Sequence, residues 1–117
     1  SATQFAGIEA LKGDQTQVEN MIKEFKLRRD YLVNELNSIE NISCLKPGGA
    51  FYVFPKINKN QMNSAQISKF LLENKYVATV PGSSFGFNGE NFLRVSYASS
   101  IKNLREFISR LRSFMND

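Results

Sequence analysis

The stretch from residue 77 to residue 99, VATVPGSSFGFNGENFLRVSYAS, constrains the fold more than any other part of this chain. It opens with a short apolar run at 77–80, turns at 81–84, and turns again at 88–89. The run at 92–97 that follows is rich in residues that favour strands. Two strands joined by a glycine-rich loop are therefore expected here, and the rest of the chain must cover them.

Alternation along 92–97 separates the side chains onto two faces of the second strand. One face carries Phe92, Arg94 and Ser96, and the other carries Leu93, Val95 and Tyr97. Arg94 is thus a cation inside an apolar run, with no carboxylate beside it as an obvious partner, since Glu90 lies across the turn. A buried charge is costly unless it is paired. An anionic ligand would resolve this cost, and a solvated strand face is the alternative.

The composition limits the classes of protein to which this chain can belong. The 117 residues make one domain-sized unit, with 42% hydrophobic and 22% charged residues, as in ordinary globular proteins. With no histidine and one cysteine, Cys44, a zinc site and a Ser-His or Cys-His nucleophile are not expected. A single cysteine also forbids an internal disulfide, which favours an intracellular, cytoplasmic setting. The net charge of +4 comes from dispersed basic residues, so we expect no nucleic-acid partner, and no apolar run is long enough for a membrane span.

The first forty residues predict two helices. Apolar residues spaced by three indicate a short helix over 4–12, with Gly13 as a left-handed helix stop. Asp14 is the predicted cap of the next helix, with Gln17 completing a capping box. Apolar residues at spacings of three and four then continue over 18–39, about seven turns. A helix that starts at residue 4 suggests a segment cut from a longer chain.

The remainder predicts a small sheet with two further helices. Residues 42–45 and 50–54 are strand candidates, and 55–61 is a polar connection. Asn63 and Gln66 form a capping box that opens a helix to about residue 75.

Ser99 or Ser100 is the predicted cap of the last helix, whose apolar residues share one face. These residues are Ile101, Leu104, Phe107, Ile108, Leu111 and Met115. The predicted fold is α+β, a two-layer sandwich in which helices cover a small, mostly antiparallel or mixed sheet.

Several motifs occur in an order and spacing that resembles the class I/II pyridoxal-phosphate aminotransferases, the aspartate aminotransferase family. They are Gln4-Phe5-Ala6 with Ala10-Leu11, Arg28-Arg29-Asp30, KPGGAFYVFP at 46–55, VPGSSFG at 80–86, FLRVSYA at 92–98, and Arg110-Leu111. The likeness covers nearly the whole chain. It implies the small C-terminal domain of a fold-type I enzyme, with residues 1–40 containing a long linking helix and 41–117 forming the α+β core.

The resemblance also implies roles for particular residues. The arginine of the LRVSYA strand, here Arg94, would bind the α-carboxylate of the substrate. The strand containing GAFY would approach the active site, which makes Phe51 and Tyr52 candidates for residues near substrate, with Phe85 from the glycine-rich loop. For Phe51 and Tyr52 taken singly, simple packing is the alternative.

The implied activity is transfer of an amino group between an amino acid and a 2-oxo acid by a full-length homodimer. Pyridoxal 5'-phosphate would be bound by a large domain absent from this chain, because no lysine here has the family's cofactor motif. The chain alone is therefore expected to be inactive. Two alternatives stay open: a carbon–sulfur lyase or synthase of the same fold, and a non-catalytic domain.

Overall fold

A computed structural model describes residues 1–117, and it has four α-helices and five short strands. The helices are α1 Ala2–Lys12, α2 Thr16–Asn37, α3 Ser64–Lys75 and α4 Ile101–Asn116. The strands are β1 Ile42–Ser43, β2 Tyr52–Val53, β3 Lys56–Ile57, β4 Val80–Pro81 and β5 Leu93–Ser96. Two 3₁₀ turns, Gly82–Phe85 and Phe87–Gly89, lie in the loop between β4 and β5. The predicted α+β class is confirmed.

The strands form two small antiparallel sheets. In the larger sheet β5 is central, with β2 on one side and β4 on the other. In the smaller sheet β1 pairs with β3. A bridge between Lys56 and Phe92 joins the two sheets, and the Leu93 amide donates to the Pro55 carbonyl beside it. The two sheets are therefore held as one layer.

One apolar core lies between this layer and helices α2, α3 and α4. The predicted division of β5 into two faces is confirmed, and the face with Leu93, Val95 and Tyr97 is the buried one. The helices contribute Leu32 and Leu36 from α2, Ile67 and Leu71 from α3, and Leu104, Ile108, Leu111 and Phe114 from α4. Of the predicted α4 stripe, Leu104, Ile108 and Leu111 are core, and the other three residues pack partly buried against it. Phe114 is a core residue that the predicted stripe did not include.

The predicted caps of the last two helices are confirmed. Asn63 accepts a hydrogen bond from the Gln66 amide, and the Gln66 side chain accepts one from the Asn63 amide, which completes the capping box. Of the two serines, Ser100 is the cap of α4, because its hydroxyl accepts from the Asn103 amide. Each contact satisfies a backbone donor that the first helical turn leaves free.

Three local predictions in the first half were wrong in detail. Gly13 has φ −71° and ψ 179°, which is extended, and glycine is required there because a Cβ would lie 2.5 Å from the Glu9 carbonyl oxygen. Helix α2 begins after Gln15, while Asp14 accepts from the amide and hydroxyl of Thr16, and the helix ends at Asn37, in about six turns. The segment predicted as a polar connection contains β3.

No helix in the structure combines the length and the apolar character that a bilayer crossing requires.

Candidate functional site

Arg94 lies on the outer face of the three-stranded sheet, at the middle of β5. The register pairs it with Val80 of β4, while Tyr52 of β2 pairs with Ser96. Because β5 is bonded on both edges, the backbone of Arg94 is fixed from two sides. Its side chain points away from the core and is only partly buried.

Aromatic rings surround the Arg94 guanidinium. Its Cζ lies 5.5 Å from the centroid of the Tyr52 ring and 5.2 Å from that of Phe85. Both distances fall within the range of cation–π attraction, about 6 Å. Tyr52, Phe54, Phe85 and Arg94 together line a shallow pocket of about 300 Å³.

The guanidinium of Arg94 has no hydrogen-bond acceptor in this chain, which sets it apart from the other partly buried arginines. Those four arginines donate to backbone carbonyls or pair with carboxylates. They are Arg28, Arg29, Arg110 and Arg112. Arg105 also lacks a partner, but its side chain is exposed to water. An unpaired, partly buried guanidinium beside a pocket is suited to binding an anion.

The loop between β4 and β5 holds Phe85 in place. Gly82 and Gly89 touch across the loop so closely that a Cβ on Gly82 would overlap the Gly89 carbonyl oxygen. The Ser64 hydroxyl donates to the Ser83 hydroxyl at 3.1 Å, which joins the loop to the start of α3. These contacts make the loop a fixed wall of the pocket.

Glu90 joins the same loop to α3 and is not a partner of Arg94. One of its carboxylate oxygens accepts from the Ser64 amide at 2.6 Å and from the Asn91 amide at 3.2 Å. The hydrogen bonds from Ser64 and Asn91 lower the pKa of Glu90 below its ordinary value. The nearest carboxylate in the sequence is thus occupied at a helix N-terminus, where negative charge is favourable.

The predicted site residues come together in part. Arg94, Tyr52 and Phe85 meet at the pocket, whereas Phe51 does not line it and instead meets the Tyr52 ring edge-on, with the two ring centroids 5.9 Å apart. The approach of Phe51, Tyr52 and Phe85 to substrate stays a prediction.

Sequence reasoning missed Phe54 as a pocket residue. Its ring stacks on Phe92 at 5.0 Å and meets Phe85 edge-on at 6.1 Å. Strand alternation from Tyr52 was the available signal, since it puts Phe54 on the same face.

The pocket does not fit an attached carbonyl cofactor, because none of its four lining residues is a lysine. No group of three or more histidine, cysteine or acidic side chains is arranged to hold a metal ion. What the pocket offers is one fixed cation among aromatic rings, which can bind and orient an anionic group.

Comparison with known proteins identifies the family. Residues 1–111 match the family Aminotransferase class I and II. An aspartate aminotransferase of Pyrococcus horikoshii is 42% identical over 113 residues, which cover 95% of this chain and 29% of that protein. The chain belongs to the class I and II aminotransferase family, and the resemblance seen in its motifs is confirmed.

Solved structures agree with the architecture described above. An alanine aminotransferase from Pyrococcus furiosus superposes with a TM-score of 0.92 at 38% identity, over 97% of this chain and 29% of that one. An aromatic aminotransferase from Pyrococcus horikoshii gives a TM-score of 0.90 at 37% identity, over 97% of this chain and 31% of that one. This chain therefore spans about three-tenths of the length of these relatives.

Proposed function

We propose that this chain is the C-terminal domain of an aminotransferase and that it supplies the arginine for the α-carboxylate of the substrate. The observation that carries the proposal is the guanidinium of Arg94, which is partly buried, free of acceptors and adjacent to a pocket. Family membership supports the reaction class. The substrates would be an amino acid and a 2-oxo acid, both of which carry the carboxylate.

Arg94 would act by binding and orienting substrate. A guanidinium binds a carboxylate with two parallel hydrogen bonds, which fixes the direction of the bond from the carboxylate to Cα as well as its position. Correct placement of the reacting carbon is worth several orders of magnitude in rate. The sheet supports this role, because β5 is bonded on both sides of Arg94.

Pyridoxal 5'-phosphate is the cofactor that family membership implies, and the part of the enzyme outside this chain would hold it. When bound, this cofactor supplies the electron sink for chemistry at Cα. The contribution of the present residues is limited to orientation of substrate. By the same inference, residues 1–40 are the helical N-terminal part and contain the long linking helix α2, residues 41–117 form the α+β core, and the full-length enzyme is a homodimer.

The test is substitution of Arg94 in the full-length enzyme. Removing a charge-assisted pair costs about 2–5 kcal/mol when the partner charge is left unpaired. For Arg94→Ala, kcat/KM should therefore fall roughly 30- to several-thousand-fold. Arg94→Lys should also lose activity, because an ammonium keeps the charge but lacks the two-pronged geometry. The fall should appear with every amino-acid donor, since all share the α-carboxylate.

Arg105→Ala is the matched control, because Arg105 is an exposed arginine on α4 without a partner. Its kcat/KM should equal that of the wild type. Wild-type kcat/KM in Arg94→Ala would instead make Arg94 an ordinary strand residue and refute its substrate role.

The same full-length protein separates the alternatives. Transfer to 2-oxoglutarate from an amino-acid donor identifies an aminotransferase. Release of a thiol or hydrogen sulfide without amino transfer would identify a lyase, and absence of affinity for pyridoxal 5'-phosphate would identify a non-catalytic domain.

A further inference from the structure

Two rings hold the guanidinium of Arg94 from within this chain. Tyr52 lies on the neighbouring strand β2, and Phe85 belongs to the 3₁₀ turn after β4. Their ring centroids are 5.5 Å and 5.2 Å from Cζ of Arg94. The two rings thus approach the same cation from different elements of the fold.

This arrangement leaves the hydrogen-bonding capacity of Arg94 intact. A carboxylate or carbonyl partner would occupy the N–H donors of the guanidinium, as happens at Arg28 and Arg112. An aromatic ring attracts the charge through its π electrons and contributes no oxygen acceptor. The five donors of Arg94 therefore stay available for a carboxylate while the group is held.

The rings are themselves held in position. Phe85 meets Phe54 edge-on, and Phe54 stacks on Phe92 with only 8° between the ring planes. The contact of Gly82 with Gly89 and the bond from Ser64 to Ser83 fix the loop that carries Phe85. Phe85 is nevertheless 55% exposed, so little of the core depends on it.

We infer that Phe85 and Tyr52 are positioning residues that hold the Arg94 guanidinium ready for a carboxylate before the substrate arrives. A free arginine side chain carries considerable rotamer entropy, and binding must remove it. Rings that restrict the guanidinium beforehand lower that cost, so the affinity for the carboxylate rises. This inference rests on the proposed role of Arg94.

The test compares leucine and tyrosine at position 85 in the full-length enzyme. Phe85→Leu removes the ring and keeps an apolar side chain, and it should weaken binding of a dicarboxylate inhibitor, maleate, by roughly 3- to 30-fold. KM for the amino acid should rise by a similar factor with kcat little changed, because the carboxylate contact is present in both ground and transition states. Phe85→Tyr keeps a ring and should restore both values.

Tyr52 gives an independent measurement, because its ring contacts the same cation from a different strand. Tyr52→Leu should weaken maleate binding in the same range, whereas Tyr52→Phe should bind as the wild type does.

Phe87→Leu is the matched control, because Phe87 lies in the same loop but is 95% exposed and makes no aromatic contact. Its maleate affinity should not change. A double-mutant cycle then isolates the mechanism: in Arg94→Ala, the further change Phe85→Leu should have no additional effect on maleate affinity.

The outcomes distinguish failure of the proposed function of Arg94 from failure of the inference about Phe85 and Tyr52. If Arg94→Ala binds maleate as tightly as the wild type, the proposed function and this inference both fail. If Arg94→Ala loses affinity but Phe85→Leu and Tyr52→Leu do not, only the inference fails. It fails as well if the loss in Phe85→Leu persists unchanged on the Arg94→Ala background, since the ring would then act without the guanidinium.

Discussion

Two regions of this molecule contain helices with the same spacing of apolar residues. In one region these residues are exposed to solvent, and in the other they are buried in the core. The arm, residues 2–24, contains α1 and the first half of α2, and none of its residues is buried. The body, residues 25–117, contains all 18 buried apolar residues of the core. Leu11 in the arm is 85% exposed, whereas Leu36 in the body is 0% exposed.

The shape of the molecule reflects this division. Its extents are 54 × 27 × 24 Å, and its radius of gyration is 17.1 Å. A compact chain of this length would have a radius of about 13 Å. Apolar periodicity therefore indicates that a helical face is suited to burial, but it does not say that the same chain supplies the covering surface.

The largest expected effect comes from introducing a charge at a buried position of α4. It is compared with the same substitution at an exposed position of α1. Ile108 is 3% exposed and Ile8 is 53% exposed. In the 117-residue chain, Ile108→Asp should cost roughly 3–5 kcal/mol because its carboxylate would have no partner in the core. Ile8→Asp should cost no more than about 1 kcal/mol, which is the lower helix propensity of aspartate. Denaturant unfolding monitored by circular dichroism measures both.

If Ile8→Asp destabilised the chain as much as Ile108→Asp does, the contrast between arm and body would be wrong. The arm would then pack on the body in solution.

A milder pair sharpens the same contrast with a neutral side chain. Leu36→Ala removes three heavy atoms (Cγ, Cδ1 and Cδ2) from the core and should cost about 2–5 kcal/mol. Leu11→Ala should change the free energy of unfolding by less than about 0.5 kcal/mol, since its side chain is already in water. Thermal melts of both variants measure the difference, and a melting temperature for Leu36→Ala near that of the wild type would contradict the placement of α2.

The smallest effect concerns two carboxylates at helix starts, Asp14 in the arm and Glu90 in the body. Hydrogen bonds from Thr16 lower the pKa of Asp14, and those from Ser64 and Asn91 lower that of Glu90. A carboxylate with a lowered folded-state pKa stabilises the fold above its unfolded pKa. That contribution is lost as the pH falls through the folded value.

Only the Glu90 contribution should appear in the unfolding of the body. Glu90 bonds to Ser64, 26 residues away, whereas Asp14 bonds within its own turn. When the pH is lowered from 7 to 3, the melting temperature of Glu90→Gln should fall less than that of the wild type. The melting temperature of Asp14→Asn should fall by as much as that of the wild type. A reversed order of these two variants would contradict this assignment.

The parts of the fold that sequence could predict are those determined by neighbouring residues. The faces of β5 follow from alternation between Leu93 and Val95, and the start of α3 follows from the Asn63 and Gln66 side chains. Strand β3 was missed because its pairing partner β1 lies about 14 residues earlier, and two residues are too few for a periodic signal. Gly13 was misjudged because its requirement is a close approach to Glu9, which composition does not reveal.

The candidate site likewise has one part that the sequence could predict and another that it could not. Arg94 is recognisable from one strand as a cation in an apolar run. Its contacts with Tyr52 and Phe85 depend on strand pairing and on the path of the β4–β5 loop, so sequence could nominate these residues but not their distances. Phe54 lay outside the predicted set although alternation alone puts it beside Tyr52.

The packing of α4 on α2 has a consequence for synthesis on the ribosome. Leu36 of α2 and Leu111 of α4 share one core, and Arg112 pairs with Glu35 at 3.0 Å, 77 residues earlier. Contacts so distant in sequence cannot form until the later segment has been translated. The part of the α2 face that α4 covers therefore stays exposed while about seventy residues are added at ~5–20 residues per second. During those seconds the nascent chain already has strands β1 and β2, which also contact α2, but it lacks the helix that completes the core.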